Sequence, residues 1–341
     1  MLNVFELQKK LVSAALPSGF ESGVAKVIEE IVKPYADEVY TDALGNLIAH
    51  KKGSGKKIMM PAHMDTIGFM ATYIDEKGFV RVTSIGGISA ANIIATPVRF
   101  ENGVRGIIQL EGKKEHAGAA RNAINMTNMF IDIGVSSREE AEKLVKIGMV
   151  AVYDTEPHMI NGNHLVSPYC DDLICCVSLI LAMEQLKDKE VENDLYFVFS
   201  TQEEVGLRGA TTSAYHIAPD LGIALDVCST GDIPETSVPM VVALGKGPTI
   251  KIKDSSLICN PQAVEFLRKA AEKEGIPYQN EILLAGGTDA GAMQKSRGGV
   301  ISGCISVPTR YIHSPMEMVD VNDVELAAKL LAAAVCQKID F

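Results

Sequence analysis

The sequence has no long hydrophobic run and no excess of positive charge. No apolar stretch reaches the roughly 18 residues that a membrane-spanning helix needs. The 341 residues carry a formal net charge of −11, so a broad basic surface that would bind nucleic acid is not expected. The sequence therefore predicts neither a membrane nor a nucleic acid as a partner, whereas its acidity suits a site that attracts cations.

A cysteine framework and a signal peptide are also missing. The seven cysteines are odd in number and irregularly spaced, which argues against structural disulfide bonds and for a reducing compartment. The first ten residues show the apolar spacing of a helix rather than the layout of a secretory signal. We therefore expect a cytoplasmic protein.

The chain is long and apolar enough to form one large domain and a smaller one, since hydrophobic residues make up 47% of it. In the segment 69–164, short alternating runs sit between glycine-rich and polar turns, a pattern typical of a small β-barrel-like unit. The flanking segments alternate apolar strands with amphipathic helices, as in α/β proteins. The sequence predicts an α/β domain formed by residues 1–68 and 165–341, interrupted by an inserted β-rich domain at 69–164.

The most informative stretch is an apolar strand that leads to two carboxylates. Residues 195–200 are rich in aromatic and β-branched side chains and predict a strand buried on both faces. Glu203 and Glu204 follow, and in an open α/β sheet the chemistry lies just beyond the carboxyl ends of the strands. Two adjacent carboxylates there suit a division of roles, in which one holds a metal and the other moves a proton. The alternative is a solvated acidic loop.

A second candidate is a histidine and an aspartate after another predicted strand. Residues 57–62 form a buried apolar run, and His63 and Asp65 come next, two residues apart, so an extended backbone points both to one side. A metal-bound imidazole usually donates its other N–H to a carboxylate, which fixes its tautomer. Asp65 is placed for that role, although a histidine near a turn can also be satisfied without a metal.

Five side chains of metal-ligand type follow predicted strands or stand at the turns beyond them. They are His63, Asp171, Glu204, Asp226 and His313. Two histidines and three carboxylates suit Zn²⁺, Co²⁺ or Mn²⁺, and five ligands with one bridging carboxylate match a two-metal site. Asp171 precedes a predicted helix, where it can alternatively cap backbone N–H groups. His116, in the inserted segment, either reaches an active site or is an ordinary loop residue.

Six motifs occur in an order and spacing that point to one family. They are Ala62-His-Met-Asp65, Asp171-Asp172, Glu203-Glu-Val-Gly206 with Arg208-Gly-Ala210, Leu225-Asp226, Gly286-Gly-Thr-Asp-Ala290 and Tyr311-Ile-His-Ser-Pro315. Together they resemble the dinuclear metallo-aminopeptidases that assemble as tetrahedral (TET) particles, the glutamyl/leucyl aminopeptidase-like family. Some members of that family carry an endoglucanase label. The resemblance runs from about residue 4 to the C-terminus and includes the inserted domain.

The resemblance implies a metal site. The chain would hold two divalent metal ions, Zn²⁺ or Co²⁺, with Mn²⁺ as a further option. His63 and Asp226 would bind one ion and Glu204 and His313 the other, with Asp171 bridging the two.

The resemblance also implies a fold, a reaction and an assembly. The fold would be a mixed-sheet, zinc-exopeptidase-like catalytic domain with helices on both faces. Asp65 would orient His63, and Glu203 would be the general base for a metal-bridged water that cleaves the N-terminal peptide bond of peptide substrates. The chains would self-associate into dimers and then a dodecamer, with the inserted domain supplying much of the contact surface.

The chain departs from the family pattern after the paired aspartates. Leu173 and Cys175 stand where the family has an arginine and a glycine. The arginine would be a charge partner near Asp172, and the glycine would leave room beside the metals. Cys170, Cys175 and Cys176 are either extra soft ligands or, more commonly for such residues, buried inert thiols.

Three alternatives to an active peptidase remain at this point. The first is a metal-binding relative with impaired catalysis, because of the departures at Leu173 and Cys175. The second is a glycoside hydrolase, since paired carboxylates also serve glycosidases, although those enzymes do not need His63, Asp226 and His313 nearby. The third is a binding or assembly module, which would not explain five ligand-type side chains at strand ends. The sequence favours the peptidase.

Overall fold

The computed structural model describes residues 2–112, 124–234 and 240–341. They form a large mixed sheet with helices packed against it and a closed six-stranded barrel. The helices are α1 (Val4–Ala14), α2 (Ser22–Val32), α3 (Arg138–Leu144), α4 (Cys170–Leu186), α5 (Arg208–Ile217), α6 (Pro261–Glu274), α7 (Asp289–Gln294) and α8 (Val321–Val335). The strands are β1 (Glu38–Thr41), β2 (Leu47–Lys51), β3 (Lys57–His63), β4 (Gly68–Ile74), β5 (Val80–Ile85), β6 (Thr96–Phe100), β7 (Arg105–Leu110), β8 (Met129–Asp132), β9 (Val150–Tyr153), β10 (His158–Ile160), β11 (His164–Ser167), β12 (Asp194–Ser200), β13 (Leu221–Ser229), β14 (Thr249–Lys253), β15 (Gln279–Ile282), β16 (Ile301–Arg310) and β17 (Glu317–Asp320).

The large sheet has eleven strands, of which the central ones are parallel. Its order is β1-β2-β12-β3-β13-β16-β17-β11-β10, with β14 beside β16 and β15 beside β14. β12, β3, β13 and β16 run in the same direction, so their carboxyl ends meet at one edge. Ser200, the last residue of β12, is directly opposite His63, the last residue of β3. The mixed α/β architecture predicted from the sequence is confirmed, and its edge brings the candidate residues together.

Two groups of helices pack against the sheet. α1, α4 and α8 pack against one another, and α4 also contacts β3 and β13. α5 and α7 pack against each other and against β3. α4 is apolar on nearly all sides, so it is buried along most of its length. Its first turn, which carries Asp171, is therefore held inside the molecule next to the sheet edge.

In the sequence, the barrel strands lie between strands of the large sheet. Strands β4, β5, β8, β7, β6 and β9 close it, and the chain rejoins the large sheet at β10 and β11. The ring of Tyr153, at the end of β9, packs edge-on against Phe69 and stacks on Tyr169, just before α4. The predicted small β-barrel-like domain is thus confirmed, whereas the boundaries at 68/69 and 164/165 and its role in oligomerisation stay predictions.

Two features bear on the environment of the chain. Within the described residues, the helices are too short or too polar for any of them to traverse a lipid bilayer. All seven cysteines are free thiols, and only Cys336 is exposed.

Candidate metal centre

The five predicted ligand residues come together at the carboxyl edge of the parallel strands. His63 ends β3, Asp226 lies in β13, Glu204 follows β12, His313 follows β16, and Asp171 is the second residue of α4. The Nε2 atom of His63 is 3.0 Å from Oδ1 of Asp171. The Nε2 atom of His313 is 3.2 Å from Oδ2 of Asp171 and 3.2 Å from Oε2 of Glu204. Asp171 therefore faces one histidine with each of its two carboxylate oxygens.

The possible ligand atoms form two groups that share Asp171. The first group is His63, Asp171, Asp172 and Asp226, and the second is Asp171, Glu204 and His313, each with its ligand atoms within 4.8 Å of one another. Two neighbouring groups joined by one carboxylate suit two cations with a bridging ligand. Asp172 is an addition to the set expected from the sequence.

The charges in the cluster fit bound cations. Burial, and then the Asp171 carboxylate, raise the pKa of both Glu204 and Asp226. Although burial alone lowers it, the carboxylates of Asp171 and Glu204 raise the pKa of His313 to about 12. The imidazoles thus lie where positive charge is strongly favoured, and a divalent cation supplies such charge while leaving the imidazole neutral for coordination.

Unpartnered oxygens point to the same conclusion. Oε1 of Glu204 and Oδ1 of Asp172 are buried and have no hydrogen-bond partner among the described residues. A buried carboxylate oxygen without a donor is costly unless it is satisfied by another group. Both residues belong to the groups of possible ligands, so the donor set and the unsatisfied oxygens fit divalent metal ions.

Asp65 contacts the cluster in a way that the sequence did not indicate. The backbone N–H groups of Glu203 and Glu204 donate to its Oδ1 and Oδ2 over 2.9 and 3.2 Å, and Ser18 Oγ donates to Oδ2 over 2.6 Å. Nδ1 of His63 is 3.1 Å from the backbone carbonyl oxygen of Asp65 and 3.4 Å from its Oδ1. The carboxylate of Asp65 therefore chiefly holds the backbone of the two glutamates, while its carbonyl is the nearer partner of the imidazole.

Glu203 lies beside the cluster rather than within either group. Its Oε2 is 3.8 Å from Nε2 of His63. Burial raises the pKa of Glu203 well above its usual value, and the charge of His63 partly opposes this shift. A carboxylate with a raised pKa next to a group of possible metal ligands suits proton transfer near neutral pH.

Glu317 is a buried carboxylate that sequence reasoning missed. The backbone N–H of Asp171 donates to its Oε2 over 2.8 Å, and the backbone N–H of His313 donates to its Oε1 over 2.8 Å. The only sequence signal is that it stands four residues after His313, within the strand-like run 317–320.

A cavity of 580 Å³ opens onto the cluster and is also lined by apolar side chains. The apolar side chains lining it are Leu207, Val227, Met240, Leu283, Leu284 and Ile312. Lys251 also lines the cavity, but its Nζ is 2.5 Å from Glu281 Oε1 and 3.3 Å from Asp254 Oδ2, so its charge is neutralised. The cavity thus combines the carboxylates and histidines of the cluster with apolar side chains.

The residues at which the chain departs from the family pattern are fully buried. Leu173 and Cys175 have no exposed surface. Cys176 Sγ donates to the backbone carbonyl oxygen of His63 over 3.2 Å, and burial raises the pKa of all three thiols, Cys170, Cys175 and Cys176. In the part of the chain that the structure describes, none of them belongs to a group of possible ligands. This favours inert thiols. His116 lies outside the described residues.

Comparisons with known proteins agree with this geometry. The family described as M42 glutamyl aminopeptidase matches residues 45–330. A putative aminopeptidase of Acetivibrio thermocellus is 46% identical over 334 residues, which cover 98% of this chain and 99% of that protein.

Solved structures match over nearly the whole chain. An aminopeptidase of the archaeon Desulfurococcus kamchatkensis superposes with a TM-score of 0.93 at 39% identity, covering 98% of this chain and 94% of that one. The TET1 peptidase of Pyrococcus horikoshii, which can assemble into a tetrahedron or a large octahedral shell, gives 0.88 at 33% identity and covers 98% and 100%. A Thermotoga maritima structure labelled endoglucanase gives 0.80 at 29% identity and covers 98% and 97%.

Proposed function

Because this chain belongs to the M42 glutamyl aminopeptidase family, we propose that it cleaves N-terminal peptide bonds with two divalent metal ions and Glu203 as general base. The observation that carries this proposal is the position of Asp171. Its two oxygens face His63 and His313, and it belongs to both groups of possible ligands. Peptide hydrolysis follows from the family, whereas the number of ions and the base are our own inference.

The proposed ligands follow from the two groups. His63 and Asp226 would hold one ion, Glu204 and His313 the other, and Asp171 would bridge them. Zn²⁺ or Co²⁺, or alternatively Mn²⁺, suits this nitrogen and oxygen set. Bound there, such ions supply Lewis acidity that makes water more acidic and the scissile carbonyl more electrophilic.

Glu203 would move the proton. Its Oε2 lies at the margin of the cluster, 3.8 Å from His63 Nε2, and Asp65 anchors its backbone N–H. It would accept a proton from the attacking water and deliver it to the nitrogen of the departing amine. A positioned base of this kind typically contributes roughly 10²–10⁴-fold in rate.

We also propose that the chain forms a homo-oligomer, built from dimers and with the inserted domain at the contacts. The assembly of the Pyrococcus horikoshii TET1 peptidase into closed shells supports this. Tyr73 and Ile107 of the barrel are exposed, and so is Ile147, next to β9. Exposed apolar side chains grouped on one domain are typical of an interaction surface. The free thiols support a reducing compartment, so we propose the cytoplasm.

No observation favours a glycoside hydrolase over a peptidase. The endoglucanase label occurs in the titles of two similar structures, one of which also names a peptidase, and the groups of possible ligands here contain two histidines and three aspartates besides Glu204. Glycosidase chemistry needs no such set.

An assay of matched substrates tests the proposal. The protein, loaded with Zn²⁺, Co²⁺ or Mn²⁺, is given a free peptide, the same peptide with an acetylated N-terminus, and a soluble β-glucan. We expect release of the first residue from the free peptide alone. Equal cleavage of the acetylated peptide would contradict an aminopeptidase, and the absence of turnover with every metal would favour the impaired relative.

A further inference from the structure

Asp171 and His313 are both held through their backbones by one buried side chain. Glu317 has 1% of its surface exposed. Its two carboxylate oxygens each accept one hydrogen bond of 2.8 Å, from the N–H of Asp171 and from the N–H of His313. These two N–H groups are brought to one carboxylate from segments that are 142 residues apart in the sequence.

We propose that Glu317 is a positioning residue that sets the distance and orientation between Asp171 and His313, and thereby the affinity of the metal centre. This inference rests on the proposed function only in taking those two residues as metal ligands. Glu317 would touch neither metal nor substrate. It would act through the backbone of the residue that bridges the two groups and of the histidine in the second group.

The two ligand residues need such support because neither backbone is held by regular structure. His313 has a φ of 61°, in the left-handed region that side chains other than glycine rarely adopt. Asp171 has a φ of −76° and a ψ of 105°, which is not helical although it stands within the first turn of α4. Outside a helix or sheet ladder, their N–H groups need another acceptor. Glu317 supplies it.

Glu317 itself is carried by a rigid element. It is the first residue of β17, where it is paired with Ser167 of β11. β17 also pairs with β16, whose end leads to His313. The carboxylate therefore extends from a strand of the sheet and joins the first turn of α4 to the loop after β16.

Within the described residues, the two backbone N–H groups are the hydrogen-bond donors to the Glu317 side chain. In the described ranges, no lysine or arginine forms an ion pair with it, so its buried carboxylate is stabilised by the two N–H donors. Burying a polar side chain is costly unless its atoms are hydrogen-bonded, and both carboxyl oxygens of Glu317 accept such a bond. We therefore assign a structural role to these two hydrogen bonds.

Asp65 is a second buried carboxylate that holds backbone N–H groups near the cluster. Asp65 accepts hydrogen bonds from the N–H groups of Glu203 and Glu204, as Glu317 does from those of Asp171 and His313. Together the two buried carboxylates hold the backbones of four residues at the centre. This repetition supports positioning rather than an incidental contact.

The test is Glu317→Gln, which keeps the size of the side chain and removes one acceptor. The amide has a single oxygen, so its NH₂ group must face one of the two backbone N–H donors. We expect a metal dissociation constant about 10- to 100-fold higher than that of the unaltered protein, the usual effect of losing an outer partner of a metal ligand. Calorimetric titration of the metal-free protein with Zn²⁺ and with Co²⁺ measures it.

Asp323→Asn is the matched control. The buried carboxylate of Asp323 likewise accepts two backbone hydrogen bonds, from Gly245 over 2.7 Å and from Gly247 over 2.8 Å, but neither glycine carries a ligand. Both variants lose one acceptor of the same kind. We expect both to melt at a lower temperature without metal, and only Glu317→Gln to show a smaller rise in melting temperature when metal is added.

Metal affinity in Glu317→Gln equal to that in Asp323→Asn would overturn the proposal. If Glu317→Gln does not fold, Glu317→Asp replaces it, because the shorter carboxylate keeps two acceptors but cannot span the same distance. Retained affinity in that variant would then overturn the proposal. Peptide turnover by the unaltered protein tests the proposed function separately, so either conclusion can fail while the other stands.

Discussion

Asp65 Oδ1 accepts a hydrogen bond of 2.9 Å from the backbone N–H of Glu203. Asp65 lies just beyond β3 and Glu203 just beyond β12, two strands that are parallel neighbours. The bond therefore joins the ends of two strands and holds the glutamate backbone while its side chain remains at the margin of the ligand cluster.

The two adjacent glutamates are expected to behave differently when each is changed to glutamine. Glu203→Gln should lower turnover by roughly 10²-fold or more because an amide cannot accept the proton, and its metal content should not change. Glu204→Gln should lower metal content, since Glu204 lies in a group of possible ligands. Elemental analysis and steady-state kinetics on both variants check this. If Glu203→Gln lowers metal content and Glu204→Gln lowers turnover alone, Glu204 is the base and Glu203 the ligand.

Removal of metal is expected to lower both activity and stability. Glu204 and Asp172 each have a buried oxygen that finds no hydrogen-bond partner in the described part of the chain, so a departing cation would leave these oxygens unsatisfied. A ligand at 100 times its dissociation constant stabilises the folded state by about 2.7 kcal/mol. A chelator followed by dialysis should abolish hydrolysis and lower the melting temperature, and Zn²⁺, Co²⁺ or Mn²⁺ should restore both. Full activity after verified removal would contradict a metal mechanism.

Restoring the residues typical of the family is expected to harm this protein. In the double variant Leu173→Arg, Cys175→Gly, an arginine enters a fully buried position, and a glycine enters a helix interior. We expect destabilisation of at least about 2 kcal/mol and no gain in turnover. Leu173→Met is the control and should cost less than about 1.5 kcal/mol. Higher turnover at unchanged melting temperature would show instead that the natural residues impair the site.

The cavity is expected to favour apolar N-terminal residues. Besides the cluster, its lining includes leucine, valine, isoleucine and methionine side chains, and the charge of Lys251 is neutralised by Glu281. Burial of a leucine side chain contributes about 1.5–3 kcal/mol, so leucyl and methionyl substrates should exceed glutamyl and lysyl ones in kcat/KM by roughly tenfold or more. A panel of aminoacyl chromogens measures this. A preference for a charged N-terminal residue would show that the apolar side chains of the cavity do not receive the first side chain of the substrate.

The chain is expected to associate in solution. Light scattering at micromolar concentration with metal present should give a particle well above the 36.6 kDa of one chain, with twelve chains as the expected number. Ile147→Asp, at an exposed apolar position next to the barrel strand β9, should shift the distribution to smaller species. Tyr215→Asp, at an equally exposed position on α5, is the control. A monomer under all conditions would contradict the assembly.

Much of the architecture could be predicted from local patterns. The run 195–200 is buried because its side chains are apolar on both faces, and it forms the central strand β12 as expected. The short alternating runs of the inserted segment form the closed barrel. The ligand residues could be proposed because each stands next to such a run, and parallel strands bring their carboxyl ends to one edge.

Only the tertiary structure determines the contacts between segments that are distant in the sequence. Glu317 and Asp171 are 146 residues apart, and Asp65 and Glu203 are 138 apart. No periodicity or spacing in the sequence indicates that a carboxylate accepts hydrogen bonds from particular N–H groups in another segment. Such contacts depend on the backbone conformation of loops, such as the positive φ of His313. Strand and helix patterns are local because side-chain alternation and helical spacing arise within a few residues, whereas the position of a loop is set by everything that packs around it.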